Sequence, residues 1–223
     1  MICRAGHYEP IAREGLVFIL PLAVIAFVCW GYGRPWTSLF FILASAAVAL
    51  FFRNPERTPP EGDHLVLSPA DGRTVEIVDN ASSRHLDGYP LKRISIFMSI
   101  FNTHVNRWPV DGIVRKIDHC PGRFLDAREP DASIVNEHNS LVVRGAGFNL
   151  EVVQIAGKVA RRIAWWVSEG EPVQRGRRFG LIRFGSRLDV YIPSNFTVEV
   201  SVGDKVRAGE TVIAKIPPGE VTH

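Results

Sequence analysis

The chain has 223 residues, a formal net charge of +3 at pH 7, 46% hydrophobic residues and 22% charged residues. This length is sufficient for one large domain or two small ones with a sizeable buried core. The ordinary apolar fraction excludes wholesale disorder, and 19 Gly and 15 Pro without a short period exclude a collagen-like chain. Cys3, Cys29 and Cys120 form no paired or zinc-binding spacing, which indicates a reducing compartment.

Two long uncharged stretches stand at the front of the chain. Charged residues are absent between Glu14 and Arg34 and again between Arg34 and Arg53, and each gap approaches the ~20 residues that cross a hydrocarbon core. The hinge around residue 34 contains Gly, Pro and aromatic residues, which suit a turn at the membrane interface. We therefore predict an N-terminal α-helical membrane hairpin, spanning or re-entrant, rather than a signal peptide or two buried core helices.

Basic residues determine the predicted orientation of this hairpin. They are Arg4 and Arg13 before it, Arg53 and Arg57 after it, and Arg34 in the turn. Under the positive-inside rule, both ends of the hairpin and the rest of the chain lie on the cytoplasmic side of the cell membrane. The predicted organisation is a hairpin and linker over residues 1–57, followed by a cytoplasmic domain over residues 58–223.

The rest of the chain predicts a β-rich domain. Short alternating apolar runs are broken by Gly, Asp and Pro, a spacing typical of an all-β sandwich or barrel. The clearest runs are Thr74–Val78, Ile94–Ser99, Gly112–Ile117, Leu141–Arg144 and Leu150–Ile155. Helical signals are weak here, and the best remaining candidate is Lys158–Trp166. We therefore predict a mainly β fold, a flattened β-barrel or sandwich, preceded by the α-helical hairpin.

One internal repeat is visible in the second half of the chain. The segment Val167–Gly176 is echoed 33 residues later by Val200–Gly209, and both read V-S-x-G-(D/E)-x-V-x-x-G. The glycines suit turns in which the backbone takes positive φ. Such duplicated hairpins resemble the barrel-sandwich hybrid of lipoyl and biotinyl carrier domains, which present a modifiable Lys at a hairpin tip. Residues 177–199, between the copies, contain no Lys, so the sequence favours this architecture without the carrier function.

Three scattered residues supply a nucleophile, a base and an orienting acid. Ser186 follows Gly185, which leaves little bulk beside a carbonyl that the hydroxyl can attack. His104 lies in a short polar cluster next to an apolar strand, and Asp71 lies in a turn that contains Pro and Gly. Alone, each has a structural interpretation: a Gly-Ser turn, a structural His and a β-turn Asp. Their spacing does not show that they meet in space.

Six segments, spread from the membrane hairpin almost to the C-terminus, form a specific ordered combination that ends in Gly-Ser. They are Phe52–Arg57, Ser68–Gly72, Phe97–Pro109, Asn136–Asn139, Val153–Gly157 and Arg178–Arg187. In this combination the chain resembles the phosphatidylserine decarboxylase family, in its short bacterial and archaeal form.

The resemblance implies a self-processing enzyme that converts phosphatidylserine to phosphatidylethanolamine and CO₂. Ser186 would attack the carbonyl of Gly185, and the chain would open into a β chain of residues 1–185 and an α chain of residues 186–223. Ser186 would become a covalent pyruvoyl group, which forms a Schiff base with the lipid amine and accepts electrons, as pyridoxal phosphate does elsewhere. The resemblance implies no separate cofactor and no metal ion.

The same resemblance implies roles for the other two residues. His104 would be the general base that takes the Ser186 proton and, after cleavage, the acid that protonates the α-carbon, while Asp71 would orient His104. The longer bacterial and mitochondrial-type enzymes have two histidines in this segment. Here Asn106 and Arg107 follow His104 instead, so His104 takes one of the two histidine roles or both.

The predicted partners are phosphatidylserine in the membrane and the α and β chains of the same proenzyme. A homo-oligomer is compatible with the sequence, and no nucleic-acid partner is predicted. An arginine would hold the lipid phosphate, because its planar fork suits phosphate oxygens. The candidates are Arg107, Arg144, Arg162 and Arg183.

Two other classes of function compete with this interpretation. A membrane-anchored serine hydrolase or signal-peptidase-like protease would use Ser186 intact and leave the chain uncleaved. A non-enzymatic adaptor with a lipoyl-like β-domain would normally bring a long coiled-coil hairpin, and the sequence has no sustained heptads.

Overall fold

The computed structural model describes residues 9–127, 129, 132–158, 162–183 and 185–218. Cys3 and Arg4, which the sequence analysis used, lie outside these ranges, as does Phe184 of the last family segment. The chain divides into two compact units, Met1–Glu56 and Arg57–His223.

The first unit is a pair of antiparallel helices, α1 (Arg13–Gly31) and α2 (Pro35–Phe51). Most of their large apolar side chains are exposed, as expected for helices that do not pack into a soluble core. Helix α1 has 19 residues and contains an 18-residue stretch with a mean hydropathy of 2.1, so it is long and apolar enough to cross a membrane, whereas α2, with 17 residues, is shorter. The predicted helical pair is confirmed.

Two serines of α2 connect the helices. Ser38 Oγ donates to the carbonyl of Ala26 at 2.8 Å, and Ser45 Oγ donates to the carbonyl of Ile19 at 3.3 Å. The serines are seven residues apart, so they lie on one face of α2. Hydroxyl donors that reach a partner helix in this way add specific contacts between otherwise apolar helices.

The second unit contains fourteen strands and one short helix within the described residues. The strands are β1 (Leu65–Leu67), β2 (Gly72–Ala81), β3 (Leu91–Met98), β4 (Val105–Arg107), β5 (Gly112–Cys120), β6 (His138–Arg144), β7 (Asn149–Ile155), β8 (Ile163–Trp165), β9 (Pro172–Val173), β10 (Arg178–Ile182), β11 (Ser186–Pro193), β12 (Thr197–Val198), β13 (Lys205–Val206) and β14 (Val212–Lys215), and the helix is α3 (Ala132–Val135).

These strands form three antiparallel sheets. The large sheet has the order β13-β2-β3-β11-β7-β6-β5-β9, and the two small sheets have the orders β1-β14-β12 and β4-β10-β8. Side chains from all three sheets form one main hydrophobic core, in which Trp108, Phe179 and Phe196 are the largest fully buried residues. The prediction of a mainly β fold preceded by helices is confirmed.

The predicted strands agree with the structure, and the predicted helix does not. All five predicted runs lie in β2, β3, β5, β6 and β7, apart from Ser99, which directly follows β3. The helix predicted over Lys158–Trp166 is wrong, because Ile163–Trp165 forms β8 and pairs with β10. A β-branched residue and aromatic residues favour a strand here once a neighbouring strand is available for pairing; residues 159–161 lie outside the described ranges.

The two copies of the repeat occupy equivalent places in the fold, since each has a turn followed by a short strand, β9 or β13, which pairs with β5 or β2. Gly170 N donates to the carbonyl of Val114 at 2.8 Å, and Gly203 N donates to the carbonyl of Thr74 at 2.8 Å. The two copies therefore bind to equivalent positions of β5 and β2. All four repeat glycines have positive φ, as the turns require, with φ of 81° at Gly170, 76° at Gly176, 102° at Gly203 and 73° at Gly209.

Candidate active site

Ser186 is the first residue of β11, which lies in the interior of the large sheet between β3 and β7. It faces Met98, the last residue of β3, across the ladder. The side chain is fully buried, and its Oγ forms no hydrogen bond within the described part of the chain. A buried hydroxyl without a partner costs about 1–3 kcal/mol. Thr74 Oγ1 and Ser95 Oγ of the same sheet are also buried without a hydrogen bond in the described residues, so Ser186 is distinguished from them by its position next to Gly185.

The backbone of Gly157 lies against the carbonyl of Gly185, the residue before Ser186. A Cβ placed on Gly157 would lie 1.9 Å from the carbonyl oxygen of Gly185, far inside van der Waals contact. The Cβ of Ala127 would be 3.3 Å from the same point. Gly185 itself has a φ of 47°, a left-handed conformation that favours glycine. The Gly185–Ser186 peptide is thus enclosed by backbone on a side where no larger residue fits.

His104 is buried and has a defined tautomer. Its Nδ1 lies 2.9 Å from the carbonyl oxygen of Asn102. Because a carbonyl only accepts hydrogen bonds, Nδ1 carries the proton and Nε2 carries the lone pair of the neutral ring. Nε2 is therefore the atom of His104 that is able to act as a base.

His104 and Ser186 lie at the same end of the large sheet. Ile182 N donates to the carbonyl of His104 at 3.3 Å, and Ile182 is three residues before Gly185. On the other side, Met98 faces Ser186, and the chain reaches His104 six residues later. The structure thus brings two of the three predicted site residues into one region.

Asp71 has a different set of contacts. Its Oδ1 accepts a hydrogen bond from Ala208 N at 2.7 Å, and its Oδ2 accepts one from Arg57 at 3.0 Å. In the other copy of the duplicated fold, Asp111 accepts a hydrogen bond from Arg175 N at 2.9 Å. The backbone contact of Asp71 is therefore a shared feature of the two turns, and the Arg57 contact is particular to Asp71. The predicted role of Asp71 in orienting His104 stays a prediction.

A line of buried amides leads to the same region, and the sequence analysis did not find it. Asn139 donates to Gln154 at 3.0 Å, Gln154 donates to Asn106 at 2.8 Å, and Asn106 donates to the sulfur of Met98 at 3.7 Å. All three amides are fully buried. Asn106 lies in β4, which directly follows His104, so the line fixes the strand next to His104. The available signal was weak, because only Gln154 interrupts an apolar run, whereas Asn106 and Asn139 lie among other polar residues.

Comparison with known proteins identifies the family. A family model described as phosphatidylserine decarboxylase matches residues 44–214. The chain belongs to this family. Phosphatidylserine decarboxylase proenzymes of Geotalea uraniireducens and Burkholderia mallei are each 47% identical over 93% of this chain, and the matches cover 97% and 95% of those relatives. The proenzyme of Syntrophus aciditrophicus is 44% identical over 92% of this chain and 97% of its own length.

These matches confirm the predicted family and the predicted enzyme class, a decarboxylase made as a proenzyme. Within this decarboxylase, the four candidate arginines for a lipid phosphate are not equivalent. Arg107 is buried and donates to a backbone carbonyl at 2.8 Å, and Arg144 lies at the end of β6 remote from Ser186. Arg183 lies two residues before Gly185 in the sequence, and its backbone N donates to the carbonyl of Arg162 at 3.3 Å. Arg162 and Arg183 are therefore the two candidates joined to the segment that leads into Gly185.

The opposite face of β11 carries a second buried polar cluster. Arg187 Nε and Nη2 donate to the two carboxylate oxygens of Asp189, both at 2.8 Å, and both side chains are buried. Burial raises the pKa of the Tyr191 hydroxyl, and the carboxylate of Asp189 raises it further. Burial lowers the pKa of His138, and Arg84, 2.5 Å from its Nε2, lowers it further. The first residues after Ser186 are thus held by a bidentate ion pair.

Proposed function

We propose that this decarboxylase converts phosphatidylserine to phosphatidylethanolamine and CO₂ with a pyruvoyl group that it makes from its own Ser186. The observation that supports the proposal most directly is the buried Ser186 hydroxyl beside the enclosed carbonyl of Gly185. An intact serine that attacked a separate substrate would need access to it, and the Ser186 side chain is fully buried. Burial therefore favours attack on the chain's own backbone over the serine hydrolase alternative.

In the proposed self-cleavage, Oγ of Ser186 attacks the carbonyl carbon of Gly185 while its proton passes to a base. The peptide C–N bond then breaks, which leaves an ester between Gly185 and the serine oxygen, and the freed amine takes up a proton. Loss of the Cα proton of residue 186 then breaks its Cβ–O bond, which expels the Gly185 carboxylate and opens the chain. Water then replaces the nitrogen, which leaves as ammonia. The residues present fit the resulting group, because Oγ is a buried polar atom without a partner in the described chain.

His104 is the proposed base. Its Nδ1 proton is donated to the carbonyl of Asn102, so Nε2 carries the lone pair that would take the Ser186 proton. After cleavage, the same nitrogen is proposed to return a proton to the substrate α-carbon. The pyruvoyl group supplies the electron sink that decarboxylation requires.

The two proposed chains have strong reasons to stay together. The α chain, residues 186–223, begins with β11, which pairs along its whole length with β3 and over five residues with β7. Its later strands β13 and β14 pair with β2 and β1 of the β chain, residues 1–185. The peptide bond between Gly185 and Ser186 is therefore not needed to hold the α chain in the fold.

The proposed location is the cell membrane, with the catalytic domain on the cytoplasmic side. Helix α1 supports a membrane anchor by its length and hydropathy. The arginines that flank the helical pair support the cytoplasmic side, because positive charge is retained there. A diacyl lipid stays in the bilayer, so an anchored enzyme meets its substrate at a high local concentration.

Intact-protein mass spectrometry under denaturing conditions tests the proposal. The wild-type chain is expected to give two pieces that meet between Gly185 and Ser186, and the smaller piece is expected to have a blocked, borohydride-reducible N-terminus. Ser186→Ala is expected to remain one chain near 24.8 kDa, whereas Ser194→Ala, in the turn after the same strand, is expected to cleave normally. A wild-type chain that stays whole after long incubation with membranes would remove the proposal and favour the serine hydrolase.

The proposed base gives a second prediction. His104→Ala is expected to slow self-cleavage by about 10²–10⁴-fold, the usual contribution of a positioned general base.

Asp71→Asn tests the orienting role, and Asp111→Asn is its matched control because both carboxylates bind a backbone N–H in equivalent turns. Gel analysis of cleavage over time should show a larger delay for Asp71→Asn. Equal delays would mean that Asp71 only stabilises its turn.

A further inference from the structure

The turn between β3 and β4 is a rigid support for two apolar residues. Asn102 Oδ1 accepts hydrogen bonds from Ser99 N at 2.9 Å and from Ser99 Oγ at 2.8 Å. Asn102 N donates in return to the carbonyl of Ser99 at 3.0 Å. An Asn side chain that closes its own turn in this way fixes the local backbone. The two residues between them, Ile100 and Phe101, are held at the tip of the turn.

These two residues point their apolar side chains away from the core. Ile100 is 53% exposed and Phe101 is 81% exposed, and Phe101 is the most exposed large hydrophobic residue among the described residues of the second unit. Single exposed hydrophobic residues are ordinary on protein surfaces. Two adjacent ones on a turn that is locked by three hydrogen bonds form a surface that suits an apolar partner.

The turn lies beside the reactive centre. Phe101 is three residues after Met98, which faces Ser186, and three residues before His104. Three residues span at most about 11 Å of chain, so the tip is within that distance of both neighbouring positions. An object that binds to Ile100 and Phe101 is therefore held next to the end of the sheet where Ser186 and His104 lie.

Cationic residues flank the same end of the sheet. Lys158 is exposed and follows Gly157, which contacts the Gly185 carbonyl, and Arg162 is exposed and binds Arg183 through its backbone. Exposed apolar residues next to exposed cations are the pattern of a surface that lies on anionic lipid, with the apolar part in the acyl region and the cations among the phosphates.

We propose that the Ile100–Phe101 turn inserts into the surface of an anionic bilayer and brings the headgroup of a membrane lipid to the reactive end of the sheet. This proposal rests on the proposed function for its substrate. It adds a second membrane contact, in the catalytic domain itself, to the helical anchor. The occupant of the surface is the lipid bilayer.

Depth-dependent fluorescence quenching tests the insertion without any use of activity. The full chain, with its three cysteines replaced by Ser, receives one cysteine at position 101 (Phe101→Cys) and an environment-sensitive dye. Tyr89→Cys is the matched control, because Tyr89 is an exposed aromatic residue just before β3, at the end remote from Ser186. In vesicles of phosphatidylcholine and phosphatidylglycerol that contain quencher-labelled lipid, the dye at 101 is expected to be quenched at least threefold more than the dye at 89. Equal quenching, or quenching at 89 alone, would overturn the proposal.

A turnover ratio tests the consequence for the substrate. The double variant Ile100→Ser/Phe101→Ser is compared with Tyr89→Ser on long-chain phosphatidylserine in vesicles and on short-chain phosphatidylserine dispersed as monomers. The ratio of vesicle to monomer turnover is expected to fall about tenfold in the double variant and to stay at the wild-type value in Tyr89→Ser. A fall of both turnovers by the same factor would assign the turn a structural role and overturn the proposal. Failure of the proposed function would show differently, since wild type would act on neither lipid.

Discussion

Gly157→Ala is expected to leave the proenzyme almost uncleaved. The new Cβ would lie 1.9 Å from the Gly185 oxygen, and an ordinary contact begins at 3.4 Å, so the two segments must separate by about 1.5 Å. Misplacement of a reacting group by about 1 Å costs about 10²-fold in rate. We therefore expect self-cleavage to slow by about 10²-fold or more, measured by the appearance of the fragment 186–223 on denaturing gels.

Gly112→Ala is the matched control for this experiment. Its Cβ would lie 2.4 Å from the carbonyl oxygen of Arg144, so it strains the same sheet in the same way. This contact is at the end of β6 remote from Ser186, and the Gly185 carbonyl is not disturbed. Gly112→Ala is expected to lose stability and still cleave. Equal rates in the two variants would show that Gly157 acts only through folding, and wild-type cleavage of Gly157→Ala would contradict the prediction.

Of the substitutions that turn a carboxylate into an amide, Asp189→Asn is expected to lower the free energy of unfolding the most. It leaves the guanidinium of Arg187 buried with no carboxylate to receive its two hydrogen bonds. Breaking a buried ion pair by removal of one partner costs about 3–5 kcal/mol. The free energy of unfolding is expected to fall by about that amount, measured by urea denaturation in detergent. The measurement uses a Ser186→Ala background, so that one chain unfolds rather than two.

Two further variants separate the ion pair from simple loss of charge. Arg187→Met combined with Asp189→Leu removes both charges and is expected to recover most of the loss, because apolar residues of similar volume replace a buried pair at little cost. Glu76→Gln removes the carboxylate that binds Arg93 on a half-exposed surface and is expected to cost at most about 1 kcal/mol. A cost below about 1 kcal/mol for Asp189→Asn would refute the prediction.

Local sequence patterns were sufficient to predict the two long helices, the long strands and the turns of the repeat. The uncharged stretches around Arg34 predicted two helices, because a helix without charged residues is readable from composition alone. Alternating runs predicted the long strands, and repeated glycines predicted turns with positive φ, as at Gly170 and Gly203. The error over Lys158–Trp166 has a physical cause: the conformation of this short segment is decided by its pairing with β10, which composition alone does not reveal.

Local sequence patterns did not predict the long-range contacts at the site. Gly157 and Gly185 meet only because β7 and β11 are neighbours in the sheet, and no local feature of either glycine indicates that contact. The buried amides of Asn106 and Gln154 are likewise joined by sheet packing. The sequence predicted Ser186, His104 and Asp71 as site residues, and the structure adds the carbonyl of Asn102 as the acceptor for Nδ1 of His104.

The interior position of β11 has a consequence for when the chain can be cleaved without aggregation. Without that strand, β3 and β7 would each present an unpaired edge toward the resulting gap in the large sheet. Open strand edges recruit strands from other chains and promote aggregation. A fragment 1–185 released before folding is complete would carry two such edges, so the proposed cleavage is safe only after β11 has been inserted. The requirement for a folded, enclosed Gly185–Ser186 bond thus also delays the cut until both edges are covered.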